Sequence, residues 1–338
     1  MPEMTHKTFD LGDVLLDSGQ TLRNGQLAFQ TYGTLSPAGD NVVVMPTFFT
    51  GSHQRNEGFF GAGRALDPAL HFIVSINLIG GGISTSPSNA TPPQAGGDFP
   101  EISFQDNIRC QHQLMTALGV EKIALVLGWS MAGCQAYHWA VQFPEMVKAI
   151  LPFCASARTS PHNFVFLEGV KAALCADPVW NNGSYESQPV EGLRAFGRVY
   201  AGWAFSQAFY RNGLYRQVGF DSVGALLDDW AEDHAANWDA NDLLCKLRTW
   251  QQGDISGAAE FAGDFPAALN SIRARTILMP CTQDLYFPPE DNLIEAEHIA
   301  SAECRPVNSE FGHCAANPGN DPEFERQLDR NIGELLAN

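Results

Sequence analysis

Four short runs along the chain are apolar or β-branched with no clean alternation: 42–45 in NVVVMPT, 72–78 in FIVSINL, 122–127 in KIALVL and 276–281 in TILMPC. Runs of this kind predict strands buried on both faces, as in a parallel sheet. A fifth, weaker run covers 147–153. Helical patterns lie between them. Residues 104–118 put Ile108, Leu114, Met115 and Leu118 near one stripe, with Gly119 as the C-cap, and 131–143 predicts a second helix stopped by Pro144. Strand–helix alternation with short connections places the chain in the α/β class. The expected architecture is a mostly parallel central sheet flanked by helices and built from right-handed crossovers.

The pattern changes between about 156 and 264. Strand-like runs vanish, and Trp180, Trp203, Trp230, Trp238 and Trp250 appear among helical segments. Alternation then returns with a strand to 281, a helix near 289–300, a short strand near 305–307 and a last helix from about 322. Residues 1–155 and 265–338 are therefore expected to form one core, and 156–264 an inserted helical lid. No linker-like stretch marks the middle as an independent domain.

The candidate chemistry sits at the strand ends. The run 122–127 leads directly into Gly128-Trp129-Ser130-Met131-Ala132-Gly133 and then a helix. A serine at such a junction is a nucleophile elbow: the turn is sharp, so small residues are needed two before and two after it. Gly128 and Ala132 meet that need, with alanine where glycine is usual. The same geometry aims the first N–H groups of the helix at a developing oxyanion, making Met131 one expected donor. Asp284 follows the strand 276–281, and His313 follows the strand near 305–307, in the chain order that such a serine requires. The imidazole takes the hydroxyl proton, and the carboxylate fixes the imidazole's tautomer.

Among the other histidines, His53 is the one rival, but it precedes the serine. Glu290 and Asp291 are fallback acids better read as charges at a helix N-terminus. A second oxyanion donor is expected from the loop after 42–45, with the Phe49 N–H as candidate. Phe48 and Phe49 also suit the lining of an apolar pocket.

Composition removes other functions. The 338 residues carry a formal net charge of −18, which disfavours nucleic acid and anionic lipid as partners. Eight cysteines include no C-x-x-C pair, so neither a zinc framework nor a disulfide scaffold is expected. MPEMTHKTFDLGD has no charged start followed by an apolar run, and no apolar stretch is long enough to span a membrane. A cytoplasmic protein is the expectation. Gly80-Gly81-Gly82 lacks any phosphate-loop pattern and predicts a tight loop near the active site, and no H-E-x-x-H cluster suggests a metal. The acidic run 228–233 predicts a solvated helix face.

Gly128-Trp129-Ser130-Met131-Ala132-Gly133 followed by Trp139-Ala140-Val141-Gln142-Phe143-Pro144 resembles the homoserine O-acetyltransferases. So do Gln30-Thr31-Tyr32-Gly33-Thr34-Leu35, Asp98-Phe99-Pro100, Ala176-Asp177-Pro178-Val179-Trp180-Asn181, Asp239-Ala240-Asn241 and Leu285-Tyr286-Phe287-Pro288-Pro289. The resemblance covers nearly the whole chain. It implies an α/β-hydrolase core, a helical lid that often forms a dimer contact, and ping-pong transfer through an acetyl-serine on the triad named above.

Two positions depart from the family pattern. Lys171 stands where the resemblance implies an arginine for the homoserine carboxylate. Cys314 stands where it implies an aspartate for the homoserine ammonium. Lysine loses the bidentate fork, and a thiol cannot pair with an ammonium. Members without those groups resemble the related short-chain acetyl esterases, in which water takes the acyl group. The expectation is a serine carboxylesterase acting on short-chain, acetyl esters of small alcohols, without a cofactor. The alternative is homoserine O-acetyl transfer, in which acetyl-CoA is a co-substrate and Lys171 binds the carboxylate.

Overall fold

The computed structural model describes residues 5–337, so the first residues of the N-terminal segment read for a secretory start lie outside it. Eight strands form one sheet in the order β1-β2-β4-β3-β5-β6-β7-β8. They are β1 (Lys7–Leu15), β2 (Thr21–Tyr32), β3 (Val42–Pro46), β4 (Phe72–Ile76), β5 (Leu125–Trp129), β6 (Ala149–Phe153), β7 (Arg275–Leu278) and β8 (Ala302–Cys304). From β4 to β8 every pairing is parallel, whereas β1 and β2 add an antiparallel edge.

Both faces of the parallel part are covered. Val42 and Val44 join one apolar cluster while Val43 and Met45 join the other, and Val126 and Ile150 oppose Leu125, Leu127, Ala149 and Leu151 in the same way. Successive side chains on a strand point to opposite faces, so two cores give an unbroken apolar run. The edge hairpin behaves differently. β1 is mostly exposed and its register shifts between Asp10 and Gly12 and between Gly12 and Val14. A polar, bulged edge strand carries no apolar run, which is why β1 was not anticipated, whereas β2 buries Leu22, Leu27, Ala28 and Phe29 but interrupts them with the exposed Arg23, Asn24 and Gln26.

The helix Phe104–Ala117 starts at a capping box in which the Ser103 hydroxyl accepts from the Asp106 N–H and the Asp106 carboxylate accepts from the Ser103 N–H, each at 2.9 Å. The helix Met131–Gln142 is buried from Met131 through Val141, as expected of a helix apolar all round. It lies close against β5 and β6: a Cβ at Gly133 would meet the Gly128 carbonyl of β5 at 2.7 Å and the Pro152 Cα of β6 at 3.3 Å.

Between β6 and the helix Phe265–Asn270 that precedes β7, the main elements are helical: Pro161–Cys175, Val190–Ala204, Gln207–Arg211, Val223–Asn237 and Ala240–Gln251. They pack through a third apolar cluster. In it Phe166, Phe196, Tyr200 and Trp250 meet Phe49, Met131, Tyr286 and Phe287 from the loops at the carboxyl ends of the strands. Ring contacts tie the two layers together, including Phe166–Tyr286 at 5.0 Å and Trp250–Phe287 at 5.5 Å.

Several strand ends differ from expectation by two or three residues. β5 starts at Leu125 and runs on through Gly128-Trp129, because those two residues pair with Pro152 and Phe153 of β6. The segment expected as a strand at 305–307 follows β8 instead, and bonds from the Arg305 and Val307 N–H groups continue along β7 to an isolated bridge between Cys281 and Val307.

Candidate active site

Ser130 ends β5 and opens the helix Met131–Gln142 at φ 59° and ψ −130°. A serine with positive φ stores strain of about 1–3 kcal/mol and persists only where its surroundings impose it. Gly128 shows how: a Cβ there would lie 2.4 Å from the Ala132 methyl and 2.6 Å from the Ala132 carbonyl carbon. The turn therefore closes only with glycine before the serine and a small residue after it. The Ser130 N–H donates to the Phe153 carbonyl at 3.1 Å, which ties the elbow to the end of the neighbouring strand.

His313 lies in the short turn Gly312–Ala316, and its Nδ1 meets Asp284 Oδ2 at 2.6 Å, both side chains being buried. The other Asp284 oxygen accepts from the Tyr286 and Phe287 N–H groups at 3.0 and 3.1 Å. Three hydrogen bonds thus hold the carboxylate in this orientation. An acceptor at Nδ1 keeps the proton on that nitrogen and leaves Nε2 with a lone pair, the form a general base needs.

The imidazole is packed between rings, with centroid distances of 5.1 Å to Trp129, 4.2 Å to Tyr286 and 5.6 Å to Phe287. The middle helices hold its loop from above. Ser206 Oγ donates to the Glu310 carbonyl at 2.5 Å, and a Cβ at Gly312 would meet the Ser206 nitrogen at 2.7 Å.

Ser130 and His313 open on one pocket of about 360 Å³, walled by Phe48, Phe49, Trp129, Tyr200 and Tyr286. The N–H groups of Phe49 and Met131 have no acceptor among the described residues. Cys314 also lines this pocket; it is 8% exposed, and burial pushes its thiol up to about 12, so it is neutral at physiological pH. Cys154 Sγ lies within 4.8 Å of the ligand atoms of Asp284 and His313. Burial raises that thiol far above its usual value, so it is neutral at physiological pH.

Other sequence candidates fall elsewhere. Lys171 is 44% exposed on the helix Pro161–Cys175, pairs with Glu168 at 3.0 Å and does not line the pocket. The helix turns Phe166, Leu167, Val170 and Leu174 inward, which leaves the face carrying Lys171 to solvent. His53 is buried against Asn77 outside the pocket, and Glu290 and Asp291 occupy the first turn of the helix Pro289–His298. Gly80-Gly81-Gly82 is a tight loop, but it approaches Cys245, Lys246 and Asp242 of the helix Ala240–Gln251 rather than the pocket.

The acidic run 228–233 is only partly a solvated face, because Asp229 and Asp233 line the pocket together with Arg55, Trp230 and His234. Arg55 bonds the Thr50 carbonyl at 3.3 Å and Asn317 Oδ1 at 2.8 Å. These pocket residues carry no motif, and their convergence depends on how the middle helices fold back.

A family profile for the alpha/beta hydrolase fold matches residues 40–315, which spans the elbow, the acid and the histidine. The chain belongs to the α/β-hydrolase family. Within it, the chain is 34% identical to the ethyl acetate hydrolase of Pseudomonas veronii, an alignment covering 99% of this chain and 97% of the relative. The crystal structure of an acetylester hydrolase from Corynebacterium glutamicum superposes with a TM-score of 0.95 at 32% identity, covering 99% and 96% of the two chains. A homoserine O-acetyltransferase of Trichormus variabilis is 31% identical over 89% of this chain and 86% of its own. The resemblance expected from the motifs is therefore found in both of its branches.

Proposed function

We propose that this α/β hydrolase is a serine carboxylesterase that cleaves short-chain, acetyl esters of small alcohols through an acyl-Ser130 intermediate. The observation that carries this reading is the strained Ser130 opening on the same pocket as His313 of the buried His313–Asp284 pair. Ser130 Oγ attacks the ester carbonyl while His313 Nε2 takes its proton. The tetrahedral oxyanion is received by the N–H groups of Phe49 and Met131. Collapse breaks the carbon–oxygen bond, and His313 returns the proton to the leaving alcohol. Water then repeats the sequence on the acetyl-serine. Asp284 orients the imidazole throughout and stabilises its cation.

The choice of water as acceptor is supported by what flanks the nucleophile. Cys314 is a neutral thiol and Lys171 is paired at the surface, so neither of the two positions matched to the homoserine contacts provides a charge; the charged residues that do line the pocket, Arg55, Asp229 and Asp233, are not those two. The relatives named as ethyl acetate and acetylester hydrolases match over nearly their full lengths. Eight unpaired cysteines suit a reducing cytoplasm. Phe164 and Val165, exposed on the helix Pro161–Cys175, support pairing of two copies through the lid.

Two assays test the proposal. Turnover of p-nitrophenyl acetate and ethyl acetate should be fast and abolished in Ser130→Ala. Free thiol from acetyl-CoA should not rise when homoserine is added. Homoserine-dependent thiol release at a rate comparable with ester turnover would replace hydrolysis by acetyl transfer.

A further inference from the structure

Lys246 is a buried lysine. It lies on the helix Ala240–Gln251, is 1% exposed, and has no carboxylate within ion-pairing distance among the described residues. Its ammonium donates to the Phe49 carbonyl at 2.5 Å and sits 5.2 Å from the centre of the Phe49 ring and 4.2 Å from that of Trp238. A buried cation is unfavourable unless its hydration is replaced, and here one carbonyl dipole and two ring faces replace it. Methionine or leucine would fill the same space without that penalty, so simple packing does not account for a charge here.

The target of the bond is informative. In the loop that follows β3, Gln135 Nε2 holds the Thr47 carbonyl at 3.0 Å, and the Thr47 hydroxyl accepts from the Leu78 N–H at 3.0 Å. The Phe48 carbonyl accepts from the Gly51 N–H at 2.9 Å. The Phe49 carbonyl is held by Lys246. That bond fixes the Phe49–Thr50 peptide and so restrains the torsions beside the Phe49 N–H.

We propose that Lys246 is a positioning residue for acyl transfer: from the lid helix it clamps the Phe49 carbonyl and so holds the Phe49 N–H in place for the oxyanion. This rests on the serine-esterase reading given above. The clamp acts through Phe49 and does not touch the substrate. It also makes lid closure and assembly of the oxyanion site one event, because the lysine comes from the insertion and the carbonyl from the core.

The clamp is strongest while the amine is charged. Desolvation brings Lys246 down to about 8, against the attraction of Asp242 and, more weakly, Cys245 on its own helix. Asp242 is itself raised to about 6 by burial, Cys245 is raised to about 12, and His234, which faces Lys246 from the helix Val223–Asn237, is lowered by burial. Near neutral pH Lys246 and Asp242 are therefore both charged, and of these four groups Lys246 is the one that titrates near pH 8. A lysine lowered in the folded state loses its proton, and its charge-assisted bond, as pH rises through that value.

The test uses the intact enzyme and the variants Lys246→Met and Lys246→Arg, with folding checked by thermal melting. Steady-state kinetics with p-nitrophenyl acetate are recorded from about pH 6 to 10. Binding of a small alkylboronic acid, which forms a tetrahedral adduct on serine, is compared with binding of N-ethylacetamide, which does not react. In Lys246→Met, kcat should fall about 10- to 100-fold with KM within about twofold, and boronate affinity should weaken by the same factor. N-Ethylacetamide should bind as before. The wild type should lose kcat above about pH 8, this loss should be absent in Lys246→Met, and Lys246→Arg should recover most of the rate.

A Lys246→Met enzyme with kcat within about twofold of wild type overturns the proposal. So does a loss confined to KM with the alkaline limb retained. If Lys246→Met does not fold, a wild-type profile flat through pH 8 overturns it instead, and a limb near that value that moves in Lys246→Arg supports it. Activity that survives Ser130→Ala would defeat the esterase reading itself, and that outcome is read separately from the lysine variants.

Discussion

Asp284→Asn is the substitution whose outcome the site's geometry fixes most tightly. The side chains are isosteric, and the Oδ1 position must still accept from the Tyr286 and Phe287 N–H groups. That places the amide oxygen at Oδ1 and the amide NH₂ at the position of Oδ2, facing His313 Nδ1. A donor there forces the imidazole proton onto Nε2, where it faces the serine and removes the base. Restoring the competent tautomer requires the amide to flip, which turns its NH₂ toward two buried N–H donors. Each stranded donor costs about 1–3 kcal/mol, so the competent form is disfavoured by about 2–6 kcal/mol, or roughly 30- to 10⁴-fold. The assay is kcat for p-nitrophenyl acetate near neutral pH. The expected loss lies in that range, with KM nearly unchanged and the melting temperature close to wild type. An Asp284→Asn enzyme within about threefold of wild type would refute the reasoning, since the two backbone donors could not then be fixing the amide.

Other outcomes follow from single contacts. Gly128→Ala brings a methyl to 2.4 Å from Ala132, so the elbow must open; turnover should fall at least about 100-fold, measurable with the same ester, together with a lower melting temperature. Cys314→Asp supplies a carboxylate in the pocket beside His313 and should raise the ratio of homoserine transfer to hydrolysis about tenfold, followed by product analysis from acetyl-Ser130. The gain stays modest because Lys171 is paired with Glu168 outside the pocket. Glu295 is buried, accepts from the Ala157 N–H, Tyr137 and Asn292, and is raised to about 7, chiefly by desolvation. A raised carboxyl binds its proton more tightly in the folded state, so its stabilising contribution is complete below the unfolded value near 4.5 and is lost as pH rises through about 7. Denaturant unfolding at several pH values should show that slope, on the order of 3 kcal/mol in total, and Glu295→Gln should flatten it.

What was legible in the chain follows from where physical constraints are local. The parallel strands showed because both faces of each are buried, as Val42 to Met45 divide between two cores. The elbow showed because its sterics confine positions 128 and 132 to small residues, and the acid and histidine showed because each follows a strand in the expected order. The edge strand β1 was hidden because it is exposed and bulged. Lys171 was placed by resemblance, and only the packing of its helix reveals that it faces outward. Arg55, Asp233, His234 and Lys246 were invisible for the complementary reason. Each takes its place only where the middle helices pack over the strand ends, and no periodicity within a helix specifies which loop it meets.

The central claim is that an ester's acyl group passes through the hydroxyl of Ser130. Rapid acid quenching during turnover of p-nitrophenyl acetate, followed by proteolysis and mass spectrometry, tests it directly. The expected result is one acetyl group on the peptide carrying Ser130, present at the earliest times and absent in Ser130→Ala, which also fails to turn over the ester. An unmodified Ser130 peptide during active turnover, or an acetyl group on another residue with undiminished activity in Ser130→Ala, would contradict it.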